Sequence, residues 1–323
     1  MIDVIIPAHK KDIETLDLCI DGIRKNVKDV RRIIVISKEK LTDNAEFYCE
    51  EDFPFSFKDV GNIIGFHRKT FNYYGGLIQT TSALTVPDLE RDVLICDADT
   101  IFLKETEFID EDDVALFNAS YDIPAHVYSH PYLEHMEKLI PGLTKQTKYS
   151  GICHHILIQK DILQEMFNRV EEIHNMPFWK ADISVTLQDY KSLNPKPPHG
   201  KAPLLFTTYE LYFNYCLKYH KDRVNIRPKK SILAYKGRMG VQGESLETVG
   251  SRTNLMGNVH ILPKEEENKF SFESFSDSCK YIAERCRQEG WDAVTFQNHT
   301  RIGSNSHAAN CESEIDEILN DQR

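Results

Sequence analysis

The chain has 323 residues and a formal net charge of −11, from 39 lysines and arginines against 50 aspartates and glutamates. With 41% hydrophobic and 28% charged residues it has the composition of a globular protein, which excludes collagen-like and wholly disordered chains. The acidic balance argues against sequence-independent nucleic-acid binding, because such binding depends on a basic face that neutralises phosphates.

The sequence also bears on location. No apolar run approaches the ~18 residues of a membrane span, and the N-terminus lacks the basic leader and small-residue cleavage site of a signal peptide. The eight cysteines are scattered without a CxxC pair, which indicates reduced thiols rather than a disulfide framework or a zinc site. We therefore expect a cytoplasmic protein with no membrane span and no nucleic-acid partner.

The first 120 residues alternate between predicted strands and helices. A helix over 67–84 is expected to be interrupted by Gly75-Gly76. Segment 43–60 is predicted to hold a short helix and then a strand. The predicted strands are 3–7, 33–36, 55–60, 92–96 and 114–117. This alternation indicates an α/β fold with a mostly parallel sheet and helices on both faces.

Further elements follow residue 120 without a clear domain boundary. Strands are predicted at 154–158, 258–262 and 292–296, and helices at 160–174, 207–219 and 272–289. The glycine-rich segment 237–257 either orders over a bound ligand or is disordered. We expect one elaborated domain over 1–302 and a polar tail over 303–323.

The strongest chemical signal is a pair of acids directly after an apolar strand. Asp97 and Asp99 flank Ala98, between the apolar runs 93–96 and 101–103. Ligands of parallel sheets bind at the carboxyl ends of the strands, and an extended segment would turn both carboxylates toward the same crevice. Such oxygen ligands suit Mg²⁺ or Mn²⁺, which keep coordination positions for a diphosphate. The alternative is two acids in an exposed turn.

Two known families use this string of residues. Asp97-Ala-Asp-Thr100 is similar to the nucleophile motif of the haloacid-dehalogenase-like phosphatases, in which Asp97 would be the nucleophile. In that family, however, the motif usually lies on the first strand of the core, whereas here several strands and helices precede it. The nearby acidic cluster 111–113 also follows too closely to be that family's second acidic pair.

The chain more closely resembles the GT-A nucleotide-diphospho-sugar glycosyltransferases. In that family a first strand ending in proline opens the nucleotide-binding half, and an Asp-x-Asp motif follows about the fourth strand. Residues 2–120 of this chain show both features in the same order. The run Val4-Ile-Ile-Pro7-Ala-His9-Lys10 is similar to the family's first strand and loop. The stretches 71–79, 150–155 and 209–212 resemble one uncharacterised branch of these enzymes.

This resemblance implies a GT-A-like, Rossmann-type domain in which 1–120 bind a nucleotide sugar and 121–302 bind an acceptor. It implies a metal-dependent glycosyltransferase of the hexosyl- or pentosyltransferase class, with Mn²⁺ or Mg²⁺ as cofactor. The partners would be a UDP- or GDP-sugar donor and a glycan or glycoconjugate acceptor. A GT-A-shaped module that binds a nucleotide sugar or glycan without turnover remains open as an alternative.

The resemblance also suggests donor and metal residues. The donor-binding candidates are Pro7, Ala8, His9, Arg68, Asp97, Ala98 and Asp99, of which Asp99 is also a catalytic candidate. Basic residues that would neutralise the diphosphate, or are otherwise solvated surface charges, are Arg68, Lys69, Lys236 and Arg238. In this family a histidine late in the chain is often a third metal ligand beside Asp97 and Asp99. His260 and His299 are the candidates, and His299 is preferred because it lies just beyond an apolar strand.

Glu210 has two interpretations. Thr207-Thr-Tyr-Glu210 matches a capping box, in which the glutamate returns to the amide of the N-cap residue. The helix that follows is apolar nearly all round, and a buried acid would have a raised pKa, as suits a general base for a sugar hydroxyl. We predict Glu210 as the base, with Asp182 and Asp189 as competitors.

The acceptor-binding candidates are His154, His155 and Trp179. The two histidines begin an apolar strand and so would point to opposite faces, which allows at most one of them to reach the crevice. A structural hydrogen bond is the alternative for each histidine. Trp179 would stack on a sugar face, or else it is a half-buried core residue.

Overall fold

A computed structural model describes residues 1–65, 68–119, 131–147, 149–192, 208–228, 231–234, 258–260, 275–288 and 290–296. The strands are β1 (Ile2–Pro7), β2 (Val30–Ser37), β3 (Glu46–Cys49), β4 (Asp92–Cys96), β5 (Thr100–Phe102), β6 (Ala115–Ala119), β7 (His155–Gln159), β8 (Val224–Pro228), β9 (Ser231–Ala234), β10 (Asn258–His260) and β11 (Ala293–Phe296). The helices are α1 (Ile13–Asn26), α2 (Phe57–Ile64), α3 (Arg68–Thr85), α4 (Pro131–Leu139), α5 (Lys160–His174), α6 (Phe178–Ser192), α7 (Thr208–Tyr219) and α8 (Phe275–Gln288).

A five-stranded sheet forms the centre, in the order β3-β2-β1-β4-β7. The pairs β2–β3, β1–β2 and β1–β4 are parallel, and β4–β7 is antiparallel. β1 and β4 are apolar runs because helices cover the sheet, as the full burial of Val4, Ile5 and Leu94 shows. The prediction of an α/β fold with a mostly parallel central sheet is confirmed.

The order of the strands creates a switch point between β1 and β4. The chain runs from β1 outward through β2 to β3 and then returns to β4 on the other side of β1. β1 and β4 are paired in parallel as far as Ile5 and Ile95, so their carboxyl ends lie at the same edge of the sheet. In open α/β sheets this crevice outside the strand ends is where ligands bind.

Two smaller sheets complete the described part of the chain. β10, β9, β11 and β5 form one in that order, and β6 pairs with β8 in the other. α8 packs on the former through a separate small core that includes Ile101, Ile282 and Val294. Because β5 follows β4 after a short turn, the Asp-x-Asp motif is the corner at which the chain passes from the central sheet to the second one.

The prediction for 43–60 is wrong in its order, since a strand precedes a helix there. β3 occupies Glu46–Cys49, and α2 begins at Phe57. Ser56 and Asp59 form a reciprocal capping box, with the Asp59 amide 3.2 Å from Ser56 Oγ and the Ser56 amide 2.8 Å from Asp59 Oδ2. The two side chains bond the amides of Ser56 and Asp59, which have no partner within the first turn of a helix. The segment therefore begins a helix at this point instead of a strand.

The glycine pair does not interrupt the following helix, contrary to expectation. α3 runs continuously from Arg68 to Thr85, through Gly75-Gly76. Each glycine costs a helix about 1 kcal/mol relative to alanine. The burial of Leu77 and Ile78 in the core outweighs that cost.

The remaining elements lie close to their predicted positions. α5 spans the predicted residues, and β10 covers Asn258–His260 of the strand predicted at 258–262, whose last two residues lie outside the described ones. The glycine-rich segment 237–257 and the tail 303–323 lie outside the described residues. None of the helices in the described ranges has the length and hydropathy that a membrane span needs.

Candidate functional site

The Asp-x-Asp motif forms a tight turn rather than the expected extended segment. The Thr100 amide donates to the Asp97 carbonyl oxygen at 3.1 Å, which places Ala98 and Asp99 at the centre of the turn. The Phe296 amide donates to the Asp99 carbonyl at 2.9 Å and ties the turn to β11. The turn forms because the chain has to change sheets here, and simple alternation therefore does not orient the two carboxylates.

The Asp97 carboxylate is held by three side chains from separate parts of the chain. Its Oδ1 accepts hydrogen bonds from Gln79 Nε2 of α3 at 2.9 Å and from the Tyr209 hydroxyl of α7 at 3.0 Å. Its Oδ2 lies 2.9 Å from His154 Nδ1. Both partners of Oδ1 also contact each other, with Gln79 Nε2 2.8 Å from the Tyr209 oxygen. The described structure thus fixes Asp97 at the carboxyl end of β4.

Tyr209 acts in this cluster as a hydrogen-bond donor. Burial and the negative charge of Asp97 raise the pKa of Tyr209 well above its ordinary value. The phenol therefore stays protonated at neutral pH and donates its hydrogen to the carboxylate.

His154 has an unusual backbone conformation and a ring nitrogen without a partner in the described part of the chain. Its φ is +60°, a left-handed value that is uncommon for a residue with a side chain and costs conformational energy. β7 begins one residue later than predicted, so His154 precedes the strand instead of alternating with His155. With Nδ1 at Asp97, the Nε2 atom is buried and has no hydrogen-bond partner among the described residues.

His155 lies away from this cluster. Its Nε2 is 2.7 Å from the Asn118 Nδ2, and its ring packs edge-on against Phe102 and Phe108 at centroid distances of 5.1 and 5.5 Å. Only 3% of the residue is exposed. The contacts of His155 are those of a core histidine, and the acceptor-binding role stays a prediction.

Glu210 is buried and serves as an anchor for the segment that leads to His154. Its Oε2 accepts hydrogen bonds from the Ser150 hydroxyl at 2.7 Å and the Gly151 amide at 2.9 Å, and its Oε1 accepts from Asn214 Nδ2 at 3.1 Å. Burial raises the pKa of Glu210, while these hydrogen bonds act in the opposite direction. The capping partner Thr207 lies outside the described residues. The catalytic-base assignment stays a prediction.

The loop after β1 lies at the switch point across from the Asp-x-Asp turn that follows β4. The Ala8 amide donates to the Ile36 carbonyl at 2.9 Å, and the His9 amide donates to Asp12 Oδ2 at 3.0 Å. These bonds fix the backbone beyond Pro7, two residues after the β1–β4 pairing ends at Ile5. The loop is therefore positioned to line a ligand with its backbone.

Several predicted site residues cannot be located by their side chains. Arg68 and Lys69 begin α3, and His260 ends β10, but their side chains lie outside the described part. The same holds for Asp189 in α6. The candidates His299, Lys236 and Arg238 lie wholly outside the described residues.

Trp179 and Asp182 lie on α6 with other neighbours. Trp179 is half-buried, with its ring 5.5 Å from that of Phe55. Asp182 is buried, its carboxylate oxygens accept no hydrogen bond from the described residues, and His135 Nε2 lies 3.6 Å from its Oδ1. Burial raises the pKa of Asp182 well above its ordinary value. The sugar-stacking role of Trp179 and the base role of Asp182 stay predictions.

The carboxylates of the motif leave few positions for a divalent cation. Oδ1 of Asp97 accepts two hydrogen bonds and Oδ2 one, so roughly one acceptor position of this carboxylate remains. Over the residues that the structure describes, no group of three or more His, Cys, Asp or Glu side chains comes together as a metal site. Asp97 and Asp99 therefore fit only a cation that takes most of its ligands from water or substrate, as Mg²⁺ does.

Sequence patterns give no role to Gln79 or Tyr209, although both lie in stretches that carry the family resemblance. Gln79 is one of many polar residues of α3, and Tyr209 is one of several aromatic residues of α7, so no local pattern marks either of them. A structural hydrogen bond explains such a position equally well from sequence alone. Their convergence on Asp97 is visible only in the fold.

Comparison with known proteins gives weak structural likenesses. No protein-family model matches the chain, and no curated protein sequence matches it significantly. The galactosyltransferase LgtC, solved with donor and acceptor sugar analogues, aligns over 99% of this chain and 95% of its own at 11% identity and a TM-score of 0.37. An active-site mutant of LgtC aligns over 88% of this chain and 95% of its own at 13% identity and a TM-score of 0.37. The mannosyltransferase Ktr4p from S. cerevisiae aligns over 57% of this chain and 61% of its own at 9% identity and a TM-score of 0.37. These values are too low to identify an activity for this chain.

Proposed function

We propose that this protein is a glycosyltransferase that moves a sugar from a nucleotide-diphosphate sugar to a hydroxyl group of a glycan or glycoconjugate. The observation that carries the proposal is the position of the Asp-x-Asp turn. Asp97 and Asp99 follow β4 at the switch point of a mostly parallel sheet, opposite the loop after β1. A nucleotide between these two segments would have backbone on one side and carboxylates on the other.

In this proposal each side of the crevice has its own task. The backbone of Pro7, Ala8 and His9 lines the nucleoside, and Asp99 with one free position of Asp97 holds Mn²⁺ or Mg²⁺. Such a cation, when bound, neutralises charge on the diphosphate leaving group. Arg68 and one of the late histidines remain candidates for completing this side.

The acceptor side is proposed to lie near His154. Asp97 fixes the ring of His154 through Nδ1, so the ring orientation does not have to be established when a substrate binds. A hydroxyl held at this point would be close to the carboxyl end of β4, where the donor sugar is proposed to lie. Glu210 is the candidate base for that hydroxyl, and its test is described below.

Calorimetry with UDP and GDP, each with MnCl₂ and with EDTA, tests the donor side. We expect one nucleotide to bind with Mn²⁺ and to lose its affinity with EDTA. Asp99→Asn should abolish the metal-dependent part, whereas Asp112→Asn, which changes an exposed acid in the turn before β6, should bind as the wild type does. Affinity that does not depend on metal would contradict the role of the motif.

Turnover separates the proposal from its alternatives. A transferase should slowly hydrolyse one UDP- or GDP-sugar to free sugar and nucleoside diphosphate. A phosphatase of the haloacid-dehalogenase type would instead hydrolyse a generic phosphate ester and trap a phosphoryl group on Asp97. Binding of a nucleotide sugar with no hydrolysis, and no transfer to any acceptor in a glycan panel, would favour a binding module.

A further inference from the structure

The orientation of the Gln79 amide follows from its two hydrogen bonds. Its Nε2 lies 2.9 Å from Asp97 Oδ1 and 2.8 Å from the Tyr209 oxygen. An amide nitrogen carries two hydrogens, and both are used here. The flipped amide would place Oε1 against the Asp97 carboxylate, with two acceptors facing each other. The network therefore fixes which end of the amide faces Asp97.

The other end of this amide has no partner among the described residues. Gln79 Oε1 accepts no hydrogen bond from the residues that the structure describes, and it is not one of the buried unpartnered polar atoms. It is therefore open to the space beside Asp97. A side-chain oxygen that two hydrogen bonds hold in one orientation is a preorganised acceptor.

All donor hydrogens of the cluster point inward. The two amide hydrogens of Gln79, the hydroxyl hydrogen of Tyr209 and the Nδ1 hydrogen of His154 lie on Asp97 or within the cluster. What remains toward a sugar is the acceptor Gln79 Oε1, because the one remaining position on Asp97 Oδ2 is the one that the proposed function gives to the cation. Such a surface binds groups that donate hydrogen bonds, and sugar hydroxyls are donors of this kind.

We propose that Gln79 is a sugar-binding residue, whose side-chain oxygen accepts a hydrogen bond from a hydroxyl group of the transferred sugar. This inference rests on the proposed function, since it takes the sugar beside Asp97 to be that of the donor. It assigns Gln79 to recognition of the sugar rather than of the nucleotide. Loss of the oxygen should therefore change the affinity for the nucleotide sugar and leave the affinity for the nucleotide itself.

The experiment compares two probes on the same variants. Calorimetry in MnCl₂ measures the affinity for UDP and GDP, and for UDP-glucose, UDP-galactose and GDP-mannose. For Gln79→Met, which keeps the length of the side chain, we expect the affinity for the bound nucleotide sugar to fall about 3- to 10-fold, the value of one hydrogen bond. The affinity for the corresponding nucleoside diphosphate should change by less than about 2-fold.

Two further variants separate sugar binding from support of Asp97. Tyr209→Phe removes a hydrogen bond to Asp97 Oδ1 and one of the two acceptors of the Gln79 amide. The amide keeps its hydrogen bond to Asp97, and with it the orientation of Oε1. The effect of a loosened Asp97 should therefore reduce both affinities by the same factor. Gln164→Met changes an exposed glutamine of α5 whose side chain donates to Asn168, and it should match the wild type. Melting temperatures show that each variant is folded.

The outcomes are distinct. If Gln79→Met lowers the affinities for the nucleotide sugar and for the nucleotide by the same factor, as Tyr209→Phe does, Gln79 only supports Asp97 and the inference is wrong. If Gln79→Met binds the nucleotide sugar as tightly as the wild type, the inference is also wrong, and the proposed function stands. If the wild type binds none of the five compounds, the proposed function fails, and the inference fails with it.

Discussion

Nδ1 of His154 lies 2.9 Å from Oδ2 of Asp97, and the Asp97 amide donates a hydrogen bond to the His154 carbonyl oxygen, also at 2.9 Å. A side-chain contact and a main-chain contact thus join the same two residues where β4 ends and β7 begins. Cys96 and His155, the next residues inward, are cross-strand partners. The left-handed backbone of His154 is held by this double contact, and any change to Asp97 acts directly on His154.

Asp97→Asn should uncouple this pair. The amide oxygen can still accept from Gln79 and Tyr209, but its NH₂ group then faces His154 Nδ1–H, so two donors oppose each other unless the histidine changes its tautomer. We expect a loss of about 1–3 kcal/mol in the free energy of unfolding and a decrease of about tenfold or more in metal-dependent nucleotide affinity. Urea unfolding and calorimetry measure the two effects. Unchanged stability would show that the hydrogen bond between Asp97 and His154 contributes little.

Gly151→Ala should damage the segment that leads to His154. A Cβ at Gly151 would lie 2.5 Å from Phe213 Cβ and 2.9 Å from the Tyr209 carbonyl oxygen, closer than atoms pack. Overpacking of this kind costs about 1–3 kcal/mol. Urea unfolding should show that loss, together with weaker nucleotide binding.

The matched control for this variant is Gly75→Ala. Gly75 is exposed on α3, and a Cβ there would meet no atom within 4 Å. The alanine should raise the free energy of unfolding by about 0.5–1 kcal/mol, because glycine is a poor helix former. Equal effects of the two alanine substitutions would contradict the tight packing at Gly151.

Glu210→Gln tests the anchor and the catalytic base together. Asn214 cannot rotate to suit the new amide, since its Nδ2 also donates to the Glu210 carbonyl and its Oδ1 accepts from the Gln146 amide. Two NH₂ groups would face each other, and we expect a loss of about 1–3 kcal/mol in unfolding free energy. A general base would in addition lower the transfer rate by about 10²–10⁴-fold.

Unfolding, nucleotide affinity and transfer rate should all be measured on this one variant. A folded Glu210→Gln protein that binds the nucleotide and transfers sugar near the normal rate would end the catalytic-base prediction and leave Asp182 and Asp189 as candidates. A stable variant with no transfer would contradict the anchor role instead.

Asp182→Asn should change how stability depends on pH. Burial raises the pKa of Asp182 in the folded protein well above its ordinary value of 3.8, so the folded state binds this proton more tightly than the unfolded state does. The wild type should therefore lose stability as pH rises above the ordinary value, by at most about 1.4 kcal/mol per pH unit from this group. Asp182→Asn lacks this contribution, so its stability relative to the wild type should rise with pH.

Urea unfolding at pH 4, 5, 6 and 7 compares the two proteins. Asp112→Asn serves as the exposed control and should follow the wild-type curve. Parallel curves for wild type and Asp182→Asn would show that the carboxyl of Asp182 ionises with the same pKa in both states. The neighbouring His135 is unchanged in all of these proteins.

The sequence by itself determined the elements whose signal is local. The runs 4–6 of β1, 33–36 of β2 and 93–96 of β4 are continuous and apolar because both faces of the sheet are buried there, and a run of that kind is readable without knowledge of its neighbours. The position of Asp97 after β4, at the carboxyl end of a parallel strand, follows from the same pattern. A capping box such as that of Ser56 is also a local pattern. Whether it begins a helix depends, however, on whether the segment pairs with a neighbouring strand.

Only the tertiary structure decided what surrounds Asp97. Its three side-chain partners Gln79, His154 and Tyr209 lie 18, 57 and 112 residues away in the sequence. The periodicity of a helix or strand predicts which of its faces is buried. It does not predict which polar group of another element lies against that face. Contacts between distant elements produce three features of the site: the turn at Asp97–Thr100, the left-handed backbone of His154 and the outward oxygen of Gln79. The packing of these elements determines which polar groups come within hydrogen-bond distance.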